Sequence, residues 1–210
     1  MQESQFRFER GCAMTNTEVI MEMVKKNNGT ITTSEVTKAG ISRGSLKHLV
    51  DTGMLERSAR GVYILAEVWD DEMYNLQVRY KRGIFSGETA LFLNDMTDRT
   101  PLNYQMTFPS NYNISALENE KVKCIRVIKE LYELGIITVK TPSGNPVKAY
   151  NIERTLCDIL RKHNNVDIQI VSDAFKRYAK SSNKDIPRLS EYAKKFRVEK
   201  KLRAYLEVLL

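Results

Sequence analysis

The stretch 42–48 gathers groups suited to a nucleic-acid surface: Arg43 and Lys47 carry charge, His48 adds a ring donor, Ser42 and Ser45 offer hydroxyls, and Gly44 leaves the backbone uncovered. A second cluster follows closely, with Arg57 and Arg60 flanking a turn that ends in Gly61. Lysine and arginine at such spacing neutralise phosphates, and an arginine can also read a guanine edge. The competing reading is a helical hairpin and β-turn whose charges are merely solvated.

Catalytic constellations are harder to find. Glu153, Arg154 and Asp158 fall within two helical turns, but Arg154 and Asp158 form an i,i+4 pair suited to a salt bridge. No second carboxylate, histidine base or phosphate loop converges on them at recognisable spacing. The SGE at 86–88 reads as a helix start, without the two-carboxylate metal motif of a nucleotidyltransferase. His163 sits at a helix end, where a cation is favourable. Cys12, Cys124 and Cys157 are odd in number and form no CxxC pair, which argues against a disulfide framework or zinc site. The expectation is a protein that is not an enzyme and needs no cofactor.

The elements that must position the basic groups are legible between Thr32 and Leu65. Thr32 and Glu35 form a capping box for a helix from Thr33 that buries Val36 and Ala39, and Gly40 ends it. Ser42 is an N-cap for a second helix to about Thr52, and Gly53 stands where a left-handed residue is wanted. Leu46, Leu49 and Val50 share its inner stripe, leaving Gly44, Lys47, His48 and Asp51 outside. The runs 54–57 and 62–65 then read as a hairpin joined by Ser58, Ala59, Arg60 and Gly61. Helix, turn, helix and basic hairpin together specify a winged helix-turn-helix, with the second helix in a major groove and the wing beside it. A helix from Thr15 or Thr17 to about Lys26, burying Val19, Ile20, Met23 and Val24, completes the core, and Thr30 and Ile31 add a short strand.

With 210 residues the chain is long enough for two small domains. The expected division is a disordered segment at 1–14, the winged helix at 15–65, a linker helix within 66–83 and an α+β domain at 84–210. Trp69 is expected to be a hydrophobic anchor at the junction. The last domain opens with a helix over 86–94, continues through β-prone runs at 104–108, 122–127, 136–140 and 147–150, and ends in helices at 151–162, 168–180, 186–196 and 198–210. That order predicts α+β architecture, with a small antiparallel sheet and a helical end.

Charge fits this organisation. The net charge is +7, and residues 1–65 hold 9 basic and 7 acidic side chains, so most of the excess lies further on. The run 194–203, KKFRVEKKLR, surrounds an apolar seam and reads first as a solvated helix face, or else as a patch for nucleic acid or an acidic protein. No apolar run approaches the roughly 20 residues of a membrane span, and the first 14 residues lack the apolar core of a secretion signal. The expected location is the cytoplasm.

Three segments carry a family likeness: FSGETAL at 85–91, DRTP at 98–101 and ERTLCDILR at 153–161. With the N-terminal winged helix, they resemble the AbiEi family of abortive-infection antitoxins over about residues 17–210. The resemblance implies an N-terminal domain that binds repeats in double-stranded DNA upstream of its own operon and represses it. It also implies a C-terminal domain that counteracts a nucleotidyltransferase-like toxin in a type IV system, where the two proteins need not form a complex. The chain departs from the family in having Asn94 and Asp95 where a His-Gly pair is common. Expected DNA contacts are Ser42, Arg43, Gly44, Ser45, Lys47, His48, Arg57 and Arg60, and the expected antitoxin surface is Lys148, Arg154, Lys194, Arg197 and Lys201. The alternative is a ligand-responsive winged-helix regulator whose second domain binds a small molecule or acts as an enzyme.

Overall fold

In the computed structural model, which describes residues 14–68, 70–117 and 122–209, Thr15 opens α1 (Asn16–Lys26) with a reciprocal cap. Its hydroxyl accepts from the Glu18 amide and its own amide donates to the Glu18 carboxylate. After β1 (Thr30–Thr32), Thr32 and Glu35 repeat the device for α2 (Thr33–Lys38), which ends before a left-handed Gly40. Next come α3 (Gly44–Asp51), Gly53 at φ +72°, and the hairpin β2 (Leu55–Ala59) and β3 (Val62–Leu65). Strand β3 lies between β1 and β2, antiparallel to both. Ile20, Val24, Ile31, Val36, Leu46, Leu49 and Leu55 pack together, almost wholly excluded from water. At about 1.5–3 kcal/mol for each large apolar side chain, this cluster supplies most of what holds so small a unit together.

Three local expectations are corrected. Ala39 is exposed because α2 stops at Lys38, and Ile41 fills the core beside Val36 instead. Helix α3 starts at Gly44, so Arg43 rather than Ser42 takes the N-cap place, without a side-chain cap bond of its own; Arg43 already has helical backbone angles, and the Ser42 hydroxyl before it still accepts from the Gly44 amide at 3.3 Å. The wing turn is shorter than read, because β2 continues to Ala59 through a bulge at Ser58, leaving Arg60 and Gly61 at the tip.

The chain divides between Asp70 and Asp71 into two units. The helix assigned to a linker is α4 (Glu72–Arg79), and it belongs to the second unit. Met73, Leu76 and Tyr80 give it an apolar face buried in that unit's core, which a free-standing linker would lack. Its N-terminus is capped by Asp71, whose carboxylate also accepts from Thr141 Oγ1 (2.5 Å) and Asn145 Nδ2 (2.9 Å). The expectations for Trp69 and for disorder at 1–13 lie outside the described residues.

The second unit continues with β4 (Ile84–Phe85), α5 (Gly87–Leu93), β5 (Tyr104–Pro109), β6 (Val122–Val127), α6 (Lys129–Tyr132), β7 (Ile136–Lys140) and β8 (Pro146–Tyr150). The architecture is α+β, as the element order predicts, but the sheet is mixed rather than antiparallel. Its order is β6-β5-β4-β8-β7, with β5 parallel to β6 and β4 parallel to β8. About a dozen residues join β5 to β6, the length a parallel crossover needs. The central β4 has only two residues, too few to leave a periodicity. Helices α7 (Ile152–Ile159), α8 (Ile168–Lys180), α9 (Ile186–Phe196) and α10 (Glu199–Leu209) complete the unit. Their shared core includes Leu156, Phe175, Tyr178, Leu189 and Phe196. Among the described residues, no helix is long and apolar enough to cross a membrane.

Candidate nucleic-acid interface

Helix α3 turns Leu46 and Leu49 inward, and that choice alone fixes what the other side presents. Ser42, Arg43, Gly44, Lys47 and His48 are exposed and Ser45 is half-buried. Thr37 of α2 accepts from Arg43 Nε at 3.4 Å, which ties the arginine stem to the preceding helix. Gly44 has ordinary helical angles rather than a positive φ, and an added Cβ would meet only Ser42 Oγ, at 3.5 Å. Nothing in the fold therefore requires glycine there, and the backbone at the start of α3 is open to a ligand.

The wing presents Arg57 and Arg60, both exposed. Its tip is held from below, since the Thr33 amide (2.9 Å) and hydroxyl (3.4 Å) both donate to the Gly61 carbonyl. Gly61 takes φ +79°, a conformation costly for other residues, and this permits the two-residue turn. Ser58 at the bulge donates to Asp70. The Thr33–Gly61 ties were not legible in the sequence, because a threonine beside a helix cap has no signature for a partner 28 residues away, and the shorter Ser58–Asp70 and Thr37–Arg43 bonds carry no spacing signature of their own. Asp51 and Glu56 are the exposed carboxylates on the same helix and wing. All eight expected DNA-contact residues thus belong to the first unit, on α3, the turn before it and the wing.

The basic residues expected on the second unit separate. Lys148, Lys194, Arg197 and Lys201 are exposed, but Arg154 is wholly buried and is withdrawn from any surface. Its guanidinium lies between the Tyr150 and Phe196 rings, 4.2 and 4.0 Å from their centroids, and pairs with Asp158. Nη2 also donates to the Leu131 carbonyl at 3.3 Å. Glu153 is 5% exposed and accepts from the Tyr178 hydroxyl at 3.1 Å; that hydroxyl in turn accepts from the Asp185 amide. The ERT element with its following aspartate is therefore a buried network joining α7 to α8 and α9.

Asp158 also faces Arg161 at 3.8 Å, so one carboxylate serves two guanidiniums. Burial lowers Arg161 from the ordinary arginine range, and the Asp158 charge opposes the shift. Helix α7 stops earlier than expected because side chains take its last carbonyls: Asn164 Nδ2 donates to Asp158 O (2.6 Å) and Lys201 Nζ to Leu160 O (2.7 Å). Two motifs meet elsewhere. Glu88 from the SGE segment and Arg99, Thr100 and Pro101 from the DRTP segment border a cleft of about 600 Å³, with buried Gln105 in its wall.

No group of His, Cys, Asp and Glu able to hold a metal ion occurs among the described residues. Cys124 and Cys157 are free thiols. Burial pushes the Cys157 thiol up to about 12, aided by the Asp158 charge, and burial raises Cys124 as well. A thiol reagent at pH 8 should therefore leave Cys157 unmodified in the native chain and label it only in denaturant, as read by mass spectrometry. Native labelling of Cys157 at the rate of an open thiol would contradict this packing.

Residues 18–66 match the family model described as transcriptional regulator, AbiEi antitoxin, which bears out the family likeness over that segment. Among solved structures, the chain is similar in fold to the RV2827C protein from Mycobacterium tuberculosis, with a TM-score of 0.53 over 84% of this chain and 70% of that one, at 15% identity. A comparison with curated proteins finds no match.

Proposed function

We propose, from an N-terminal segment shared with AbiEi antitoxin regulators, that this chain binds repeats in its own promoter, represses its operon and counteracts a nucleotidyltransferase-like toxin encoded beside it. The observation that carries the first part is the exposure of Arg43, Gly44, Lys47, His48, Arg57 and Arg60 on one helix and wing of the matched segment. Helix α3 enters the major groove by its first turn, where Arg43 reads a guanine edge and His48 lies alongside. A bidentate contact of this kind contributes about 1–3 kcal/mol of discrimination. The Ser42 and Ser45 hydroxyls meet a phosphate at the first turn, where the dipole of a helix N-terminus favours an anion, while the Gly44, Ser45 and Leu46 amides are already engaged by Ser42 and Arg43. Lys47, Arg57 and Arg60 neutralise flanking phosphates. Repeated half-sites would take two protomers.

The second unit acts as antitoxin, through Lys148, Lys194, Arg197 and Lys201 and without a stable complex being required. The protein is a regulator rather than an enzyme in this reading, uses no cofactor and works in the cytoplasm with its operon. One observation favours a second reading, a regulator responsive to a small molecule: the cleft between Glu88 and Arg99, where Gln105 Nε2 is buried without a partner in the protein. A metabolite released from the purified protein and identified by native mass spectrometry would favour that reading.

The test of DNA recognition is affinity for the upstream duplex across a salt series. Lys47→Ala and Arg60→Ala should each weaken binding to specific and scrambled duplexes alike, and each should lower the salt slope by about 1. Arg43→Ala should instead lose preference for the upstream sequence. Slopes and affinities equal to wild type would exclude the docking.

A further inference from the structure

A second basic feature lies far along the chain. Between the end of α7 and the start of α10 is an open cleft of about 680 Å³, lined by Arg161, Lys162, Arg197, Lys200 and Lys201. Among the described residues, Glu199 is the one carboxylate on its wall. Asp158 behind it is shared with the buried Arg154, and Lys201 donates to a neutral carbonyl, so the positive charge is far from balanced. Arg197 adds an unusual detail: it caps α9 at φ +56° and ψ +40°, a left-handed position that normally selects glycine or asparagine. A glycine would satisfy the turn at lower cost but would remove a charge from the cleft.

The lining also indicates the kind of partner. The apolar residues of this cleft, Leu160, Phe196 and Val198, are each at most 6% exposed, so it offers no exposed apolar anchor of the sort that dominates protein–protein contacts. A second cleft, of about 360 Å³, adjoins it and shares Arg161, Lys162 and Lys201. That one continues onto Val166, Tyr205 and Ile168, the last 67% exposed. A basic ridge beside an apolar and aromatic trough suits a strand whose phosphates and bases face different ways. A duplex keeps its bases inside and would leave the trough empty.

We propose that the second unit binds single-stranded nucleic acid, with the phosphodiester backbone on Arg161, Lys162, Arg197, Lys200 and Lys201 and bases toward Tyr205 and Ile168. The site is separate from the winged helix and stands whether or not that element reads the promoter.

The experiment uses the full chain and labelled single strands of about 12 nucleotides, U-only RNA and T-only DNA, read by fluorescence anisotropy across a salt series. Arg197→Gly with Lys200→Ala should weaken binding to one or both strands about tenfold and lower the salt slope by about 1.4, the share of two single-strand phosphates. Affinity for the upstream duplex should stay as in wild type. Arg197→Gly alone suits the left-handed backbone, so its Tm should hold or rise while strand binding still falls, which separates charge loss from misfolding. Unchanged strand affinity would overturn the proposal. So would loss of strand binding through Lys47→Ala and Arg60→Ala instead, or equal displacement of the strand by polyglutamate of matched charge. Failure of duplex binding alone would count against the promoter reading and leave this site standing.

Discussion

Replacing Arg154 with alanine should destabilise the second unit by about 3–5 kcal/mol, because it leaves the nearly buried Asp158 carboxylate without its main partner. It also empties the space between the Tyr150 and Phe196 rings and removes a donor to the Leu131 carbonyl. Urea denaturation should show a lower midpoint with little change in slope, the mark of lost stability rather than altered compactness. Arg154→Met combined with Asp158→Leu should recover much of the loss, since an apolar pair of similar size leaves no charge uncompensated. A penalty under about 1 kcal/mol for Arg154→Ala would contradict the burial described above. One consequence concerns antitoxin assays: a variant at Arg154 that fails to protect cells reports on folding, whereas variants at Lys194 or Arg197 report on a surface.

The second large effect is expected at Leu49, fully buried between α1 and the sheet of the first unit. Leu49→Ala should cost about 2–5 kcal/mol through lost burial and the cavity left behind. A unit of this size holds only about 3–8 kcal/mol in total, at 0.05–0.15 kcal/mol per residue, so most of its margin disappears. Hydrogen exchange resolved by peptide should show protection collapsing across α1, α3 and the wing and persisting in α7, α8 and α9. Affinity for the upstream duplex should fall with it. Equal loss of protection in both parts would contradict this prediction and show the two units unfolding together.

How much of this was legible in the sequence depends on the range of the interaction concerned. The capping box at Thr32 and the left-handed Gly53 are local and are found as read, and of the two caps offered for the first helix it is Thr15 that serves, through a box with Glu18 that was not foreseen. The β-runs of the second unit and the helices at 168–180 and 186–196 were equally legible, since each carries its own periodicity and boundary residues. The two-residue β4 had no pattern to read, and without it the parallel pairing of β8 was invisible. The helix after Asp71 was read as a linker because what it packs on lies elsewhere in the chain: Thr141 and Asn145, which hold Asp71, are 70 and 74 residues away, and Met73 buries itself among residues of the sheet core. Arg154 is the instructive case. Its i,i+4 partner was evident, but only the fold brings Phe196 over the guanidinium, and that contact turns an expected surface charge into a core residue. The convergence of Arg161 with Arg197 and Lys201 was hidden for the same reason, although the charge run at 194–203 marked half of it.

Promoter binding by the first unit and toxin neutralisation by the second are proposed as separable activities. The direct measurement is growth of cells expressing the adjacent downstream gene together with the full chain carrying Lys47→Ala and Arg60→Ala. The expected result is that the downstream gene alone arrests growth and that the variant restores it as well as wild type does, despite its weakened hold on the promoter. A harmless downstream gene, or rescue that disappears with those two charges, would contradict it.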